Sequence, residues 1–206
     1  MDYFLNYTNS INIGLKNSIF IFQSNIIESN DFFNHINVVM ASLKKKKGKI
    51  FFFGNGASAA FANHMALDFS KNGKILALSL SDSAMLTALS NDYSYDQAMV
   101  EFMKIMQVND NDLVITISSS GNSSNIVKVL EFCRTKGIQT IGLSGLNKIN
   151  KSLELSEFVI HVPMMTYGIV ECIHQIFLHL ILDMSMNIQE WNRDKSQNMH
   201  SSNFKL

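Results

Sequence analysis

The stretch Ile50-Phe51-Phe52-Phe53-Gly54-Asn55-Gly56-Ala57-Ser58 is an apolar run that leads directly into a turn of small residues. A second stretch has the same form: Leu113-Val114-Ile115-Thr116-Ile117 leads into Ser118-Ser119-Ser120-Gly121-Asn122-Ser123. A buried strand, a Gly/Ser turn and the start of a helix together present backbone N–H groups and hydroxyls to an anion. The two stretches therefore predict a phosphorylated small molecule bound at the carboxyl edge of a sheet.

The composition predicts a single domain without a charged binding surface. Of the 206 residues, 47% are hydrophobic and 17% are charged, which is enough chain for one well-buried domain and short for two. The formal net charge is zero, so no overall field recruits nucleic acid or an anionic membrane surface. The basic run Lys44 to Lys47 is interpreted as the solvated end of a helix. We expect neither nucleic acid nor a membrane as a direct partner.

Membrane segments and disulfides are not indicated either. The first residues lack the basic region and the cleavage site of a secretory signal. The apolar stretch 172–186 is interrupted by polar residues and is too short to cross a bilayer, so we expect a buried helix there. Cys133 and Cys172 both lie in apolar helical patterns. This argues against a disulfide framework and favours a reducing compartment.

Hydrophobic periodicity alternates between helix and strand along the chain. Residues 1–45 have mostly helical spacing with a break near residues 29–31, which predicts two N-terminal helices. Five strands are expected near 49–53, 75–80, 112–117, 138–143 and 157–162, with helices between them. This alternation predicts a three-layer α/β fold with a doubly wound, five-stranded parallel sheet. We expect one domain over residues 1–192, with N-terminal helices over about 1–47, and a polar tail over 193–206.

Two helical segments carry candidate chemical groups. His64 and Asp68 are one turn apart and share a helix face. In the late apolar helix, Glu171 and His179 point to one side, whereas His174 points elsewhere. Two imidazoles and two carboxylates make a plausible zinc site. The alternatives are a surface ion pair for His64 with Asp68 and a hydrogen-bonded core residue for His174, and the spacing alone names no metal.

Taken together, the motifs resemble the SIS (sugar isomerase) domain of the phosphoheptose isomerase (GmhA) family. The run from Gly54 to Ala60, followed by His64 and Asp68, is similar to the family pattern G-N-G-[GA]-S-A-A-x-x-x-H-x-x-x-E. Residues 86–93, LTALSNDY, are similar to LTAI-x-NDY, and residues 118–123, SSSGNS, are similar to S-T-S-G-N-S. The resemblance covers nearly the whole chain.

This resemblance implies a flavodoxin-like SIS fold and an activity. Members of the family convert sedoheptulose 7-phosphate to D-glycero-D-manno-heptose 7-phosphate, an early step towards bacterial heptose and lipopolysaccharide precursors. The resemblance further implies a cytoplasmic homotetramer, with the N-terminal helices in the assembly core and one Zn²⁺ per subunit in a site between subunits.

The resemblance also implies roles for particular residues. The positions matching substrate-binding residues are Asn55, Ser58, Asp92, Ser118, Ser119, Ser120, Ser123 and Glu171, with Ser119 standing where Thr is usual. The positions matching the acid/base groups are Asp68 and His179. The positions matching zinc ligands are His64, Asp68, Glu171 and His179.

Beside these positions the chain departs from the family pattern. Asp68 replaces the usual Glu, and Glu171 replaces a usual Gln. The Arg that usually follows the first motif helix is absent around residues 71–72, and the charged residues that usually precede Glu171 are absent from residues 168–169. A second interpretation is therefore a non-catalytic SIS protein resembling DiaA, which binds the replication initiator DnaA. A phosphosugar-sensing regulator is a third.

Overall fold

Helices and strands alternate through residues 1–192, the part of the chain described by the computed structural model. The helices are α1 Tyr3–Lys16, α2 Ser29–Lys46, α3 Ala57–Lys71, α4 Ser83–Asp92, α5 Tyr95–Ile105, α6 Ser124–Lys136, α7 Lys151–Leu155 and α8 Tyr167–Ser185, followed by a 3-10 turn at Glu190–Asn192. The strands are β1 Ile19–Phe22, β2 Asn25–Ile27, β3 Ile50–Gly54, β4 Ala77–Ser79, β5 Leu113–Ser118, β6 Gln139–Gly145 and β7 Phe158–Val162. The predicted tail over 193–206 lies outside the described residues.

One sheet runs through the described residues, with the strand order β2-β1-β7-β6-β5-β3-β4. The five strands from β3 to β7 pair in parallel with one another. They are the five strands expected from the sequence, so the three-layer α/β fold with a parallel sheet is confirmed. Strands β1 and β2 add an antiparallel hairpin beside β7, which makes the sheet seven-stranded and mixed.

The expectation of helix across residues 19–27 is wrong, because these residues form that hairpin. Ile19-Phe20-Ile21-Phe22 is a run of β-branched and aromatic residues, which suits a pleated strand. Gln23 and Ser24 have φ angles of 47° and 67°, as required in the two-residue turn whose twist matches that of a hairpin. Strand β1 then pairs with β7, which places Ile21 opposite Val159.

Helices cover both faces of the sheet, and the phenylalanines of β3 show how the two cores are divided. Phe52 belongs to the core that includes residues of α2, α3 and α8. Phe51 and Phe53 belong to the opposite core, with residues of α5 and α6. This division follows from the two-residue repeat of a strand. Because both faces of β3 are buried, its carboxyl end and the turn that follows are firmly placed.

Helix α8 is the central helix of the first of these layers. It packs against α1, α2, α3 and β7, and its buried residues include Ile173, Phe177 and Ile181. It is longer than the apolar stretch identified in the sequence, and by length and composition alone it could cross a membrane. A helix that is apolar on most sides is equally typical of a protein core, and its packing against three helices and the sheet is of that kind.

Candidate active site

The two Gly/Ser turns leave the same edge of the sheet side by side. Strands β3 and β5 are parallel neighbours, with Gly54 opposite Ile117. The first turn leads into α3 and the second into α6. Within residues 1–192, neither helix has a side-chain hydrogen bond at its N-cap, Gly56 or Ser123. The predicted convergence of the turns is confirmed, and two uncapped helix N-termini favour an anion there.

In the second turn the serine hydroxyls lie close together. The Oγ atoms of Ser118 and Ser123 are 3.4 Å apart, and the Oγ of Ser120 accepts a hydrogen bond from the N–H of Asn122 at 3.2 Å. The Oγ of Ser119 is buried and has no hydrogen-bond partner among the described residues. A buried hydroxyl without a partner costs free energy. An oxyanion in this turn would give the Ser119 hydroxyl an acceptor.

The first turn presents Asn55 in a fixed orientation. Its Oδ1 accepts hydrogen bonds from the hydroxyl of Tyr95 and from Nδ2 of Asn125, both at 2.8 Å. Its Nδ2 donates to Oδ1 of Asn125 at 2.9 Å. Ser58 is buried and donates its N–H to the carbonyl of Asn55 at 3.0 Å. The sequence pattern did not indicate Tyr95 or Asn125, although each lies at the start of a helix next to a recognised motif.

Asp92, another of the predicted substrate-binding residues, is the last residue of α4. Its side chain is exposed, and its Oδ1 accepts a hydrogen bond from the amide of Asn91 at 3.0 Å. Tyr95 opens the next helix and contacts Asn55. The junction between α4 and α5 therefore lies beside the first turn.

Three of the four predicted metal ligands come together where α3 packs against α8. One ligand atom from each of His64, Asp68 and His179 lies within 4.8 Å of the other two. The Nε2 of His64 is 3.3 Å from Oδ2 of Asp68, and the rings of His64 and His179 are 5.4 Å apart. Two imidazoles and one carboxylate, with a fourth position open, are a donor set of catalytic zinc sites. The residues present fit zinc.

Glu171 is not part of this group. It precedes His179 by two helical turns, roughly 12 Å along the axis of α8, and its predicted role is not tested by the geometry. One turn before His179 lies Gln175, whose Nε2 is 2.9 Å from Nε2 of His179 and 3.3 Å from Sδ of Met65. A zinc-bound His179 would use one unprotonated ring nitrogen for the metal, and its other N–H could donate to the side-chain oxygen of Gln175. The sequence pattern did not indicate Gln175; its i, i+4 spacing to His179 is the available signal.

His174 points away from this group, as predicted, and lies in the core. It is fully buried, and its Nε2 is 2.9 Å from the carbonyl oxygen of Ser144. The Oγ of Ser144 is in turn 3.0 Å from Nδ1 of His161. Burial lowers the pKa of His174 to about 4; the bond to Ser144 opposes this shift and the nearby His161 adds to it.

We expect the free energy of unfolding to fall as the pH drops from 6.5 towards 4, because burial lowers the His174 pKa from 6.5 to about 4. In that range the unfolded chain binds a proton at His174 that the folded chain does not, so stability present above pH 6.5 is lost. The His174→Gln variant keeps a donor to Ser144 but has no group that titrates here. Its free energy of unfolding should therefore fall less on acidification than that of the wild type, by on the order of 2 kcal/mol. Urea unfolding of both proteins at pH 7 and pH 4.5 measures this, and equal losses would contradict it.

Comparison with known proteins gives consistent relatives. Residues 21–145 match the family model described as "SIS domain". A phosphoheptose isomerase from Aneurinibacillus thermoaerophilus is 38% identical over 141 residues, which cover 65% of this chain and 69% of that protein. One from Helicobacter pylori is 34% identical over 145 residues, which cover 68% and 74%. The structure of phosphoheptose isomerase GmhA from Neisseria gonorrhoeae superposes with a TM-score of 0.72 at 24% identity, covering 90% of this chain and 96% of that one, and shows the same fold.

Proposed function

Because this chain belongs to the phosphoheptose isomerase family of SIS domain proteins, we propose that it converts sedoheptulose 7-phosphate to D-glycero-D-manno-heptose 7-phosphate. Membership of this family makes the chain a phosphosugar isomerase. The identity of the sugar, a seven-carbon ketose phosphate, is the part that we propose. The main observation in support of this function is the arrangement of the site. Two hydroxyl-rich turns lie side by side at one edge of the sheet, and the helix that begins at the first turn contains His64 and Asp68. We place the reaction in the cytoplasm, in the synthesis of heptose for lipopolysaccharide.

The phosphate of the substrate would bind in the two turns. Hydroxyls and N–H groups hold a dianion without a mobile counter-charge. The unpartnered hydroxyl of Ser119 and the uncapped starts of α3 and α6 support this position. The groups we assign to the phosphate are Ser58, Ser118, Ser119, Ser120 and Ser123, and those we assign to the sugar are Asn55, Asp92 and Glu171.

Ketose–aldose isomerisation moves a proton between adjacent carbons. A base takes a proton from carbon 1 while the carbonyl oxygen on carbon 2 gains one; the hydroxyl on carbon 1 then gives up its proton and carbon 2 receives one. Asp68 and His179 are the acid/base groups we assign. Oδ2 of Asp68 faces His64 at 3.3 Å, which leaves Oδ1 as the oxygen for a substrate proton.

Zinc would be held by His64, Asp68 and His179. Glu171, which the family pattern implies as a further ligand, lies two turns away on α8, outside this group. Bound there, the metal would polarise the substrate carbonyl and stabilise negative charge on its oxygen. The side chain of His64 is 49% exposed, so a substrate can reach the group from solvent. Gln175 would keep the ring of His179 oriented through their 2.9 Å contact.

Metal content and turnover test the proposal together. The protein is purified without added metal, its zinc is measured, and sedoheptulose 7-phosphate turnover is followed with Zn²⁺, without it and after chelation. We expect about one zinc per chain and activity that chelation removes and Zn²⁺ restores. Zinc-free, inactive protein that captures the replication initiator DnaA would replace the isomerase with the DiaA-like alternative.

Lengthening the carboxylate at position 68 should raise turnover. Asp68 is one methylene shorter than the usual Glu, and a displacement of about 1 Å near reacting atoms can cost on the order of 10²-fold in rate. We expect Asp68→Glu to increase kcat by up to that factor. Asp31→Glu, the same change in the exposed first turn of α2, is the control and should leave kcat unchanged. If kcat is unchanged in Asp68→Glu, the short carboxylate does not limit turnover, and the absent Arg and charged residues are the alternative cause.

We also propose that the chain is a single domain over residues 1–192 that assembles as a homotetramer around residues 1–47. Helix α1 packs one side on α8, yet Tyr3, Phe4, Leu5 and Ile13 are exposed. Large apolar residues left exposed on a helix are available for an interaction surface. Light scattering should give four times the chain mass of 23.2 kDa, and a monomeric mass would contradict the assembly.

A further inference from the structure

Asn55 is held by hydrogen bonds from two different helices. Tyr95, the first residue of α5, donates its hydroxyl to Oδ1 of Asn55 at 2.8 Å. Asn125, near the start of α6 and 2% exposed, exchanges two amide hydrogen bonds with Asn55 at 2.8 and 2.9 Å. The amide therefore joins β3, α5 and α6 at the edge where the two turns meet.

These bonds fix which end of the Asn55 amide faces outward. Oδ1 uses both of its lone pairs, one for Tyr95 and one for Asn125, while Nδ2 uses one of its two hydrogens. Turning the amide by 180° would oppose two oxygens and two nitrogens across the pair with Asn125, so Asn125 sets the orientation, while the hydroxyl of Tyr95 holds the amide in place. Oδ1 of Asn125 also accepts the N–H of Ile126 at 3.0 Å, so Asn125 cannot turn to compensate. The free group of Asn55 is thus an N–H donor.

We propose that Tyr95 and Asn125 are positioning residues that keep Asn55 a hydrogen-bond donor towards an oxygen of the phosphosugar. This inference rests on the proposed function, which places the sugar at Asn55. An amide free to turn would offer the substrate oxygen its carbonyl for part of the time, and a fixed amide avoids that repulsion. Tyr95 is 52% exposed, so we expect the fold to stay intact when its hydroxyl is removed.

The Tyr95→Phe variant tests the proposal. We expect KM for sedoheptulose 7-phosphate to rise about two- to ten-fold, which corresponds to the contribution of one hydrogen bond. The value of kcat should be nearly unchanged, because the contact between Asn55 and the substrate is present both before and during the reaction. Affinity for inorganic phosphate should stay at the wild-type value, since the phosphate turns are untouched. The dissociation constant of the sugar phosphate with zinc-free protein, measured by calorimetry, should rise by the same factor as KM.

Two control variants separate positioning from a general structural effect. Tyr93→Phe removes an exposed hydroxyl two residues away. Ser124→Ala removes the 2.6 Å bond from Ser124 to Asp96, which joins the same two helices without touching Asn55. Both should leave KM unchanged.

Equal KM and dissociation constants in Tyr95→Phe and wild type overturn the inference, as does a rise of similar size in Ser124→Ala. If the wild-type protein binds the sugar phosphate but does not turn it over, the proposed function alone is overturned. The inference is then tested by the ratio of the dissociation constants of Tyr95→Phe and wild type for the sugar phosphate. A wild-type protein that does not bind the sugar phosphate overturns both.

Discussion

Replacing His179 with Gln is expected to lower sedoheptulose 7-phosphate turnover by roughly 10²- to 10⁴-fold and to remove most of the bound zinc. His179 is the residue that α8 contributes to the group with His64 and Asp68. An amide at this position neither accepts a substrate proton near neutral pH nor replaces an imidazole as a zinc ligand. Steady-state kinetics and the zinc content of the purified variant measure the two effects separately.

His35→Gln is the matched control for this change. His35 is an exposed imidazole on α2, stacked on Phe22 with ring centroids 4.6 Å apart. Its loss should change neither turnover nor zinc content. Wild-type zinc in His179→Gln, or equal zinc loss in both variants, would show that the metal is not held by the group at His179.

The parallel part of the sheet was predictable because its strands are buried on both faces. All residues of β3, β5 and β7 are buried, so each is a mainly apolar run, with Thr116 and Ser118 in β5 and His161 in β7 as the polar exceptions. Near-continuous apolar runs of this kind are typical of strands in a parallel sheet. The turns were predictable for a related reason. Their Gly and Ser residues follow the runs directly, so the geometry of the phosphate site is largely local in sequence.

The N-terminal hairpin could not be predicted in the same way. Ile19–Phe22 is only partly buried, and its spacing is compatible with either a helix or a strand. Its pairing partner is β7, more than a hundred residues further along the chain. The segment becomes a strand because the side of β7 is free to pair with it. The local sequence pattern holds no information about that distant partner.

The candidate metal group shows a different limit. A helical wheel gives the angle between Glu171 and His179 but not their separation along the axis, and two turns place Glu171 outside the group. Gln175, one turn from His179, contacts it instead. The meeting of His64 with His179 depends on the packing of α3 against α8. The bond from Tyr95 to Asn55 likewise joins elements that no local motif connects.

Substituting Gly54 with Ala is expected to disturb both stability and phosphate binding. A Cβ at this position would lie 2.5 Å from the carbonyl carbon and oxygen of Ser58. These are backbone atoms in the first turn of α3, so no side-chain rotation relieves the contact and the turn must move. We expect a loss of about 1–3 kcal/mol in the free energy of unfolding. A displacement of Ser58 by several tenths of an ångström should also weaken inorganic phosphate binding and raise KM, by up to about 10²-fold.

Gly137→Ala distinguishes a displaced turn from a merely destabilised protein. Gly137 caps α6 with φ +66° and its added Cβ would meet nothing within 4 Å, so the cost is that of a left-handed backbone, about 1–2 kcal/mol. Gly137 precedes the start of β6, so it lies at the amino ends of the parallel strands, whereas the phosphate turns lie at their carboxyl ends. Urea unfolding should therefore show a loss for both variants, whereas phosphate titration and KM should change only in Gly54→Ala. Equal KM values in the two variants would mean that the turn after β3 does not hold the substrate, because the close approach of Gly54 to Ser58 would then matter for folding alone.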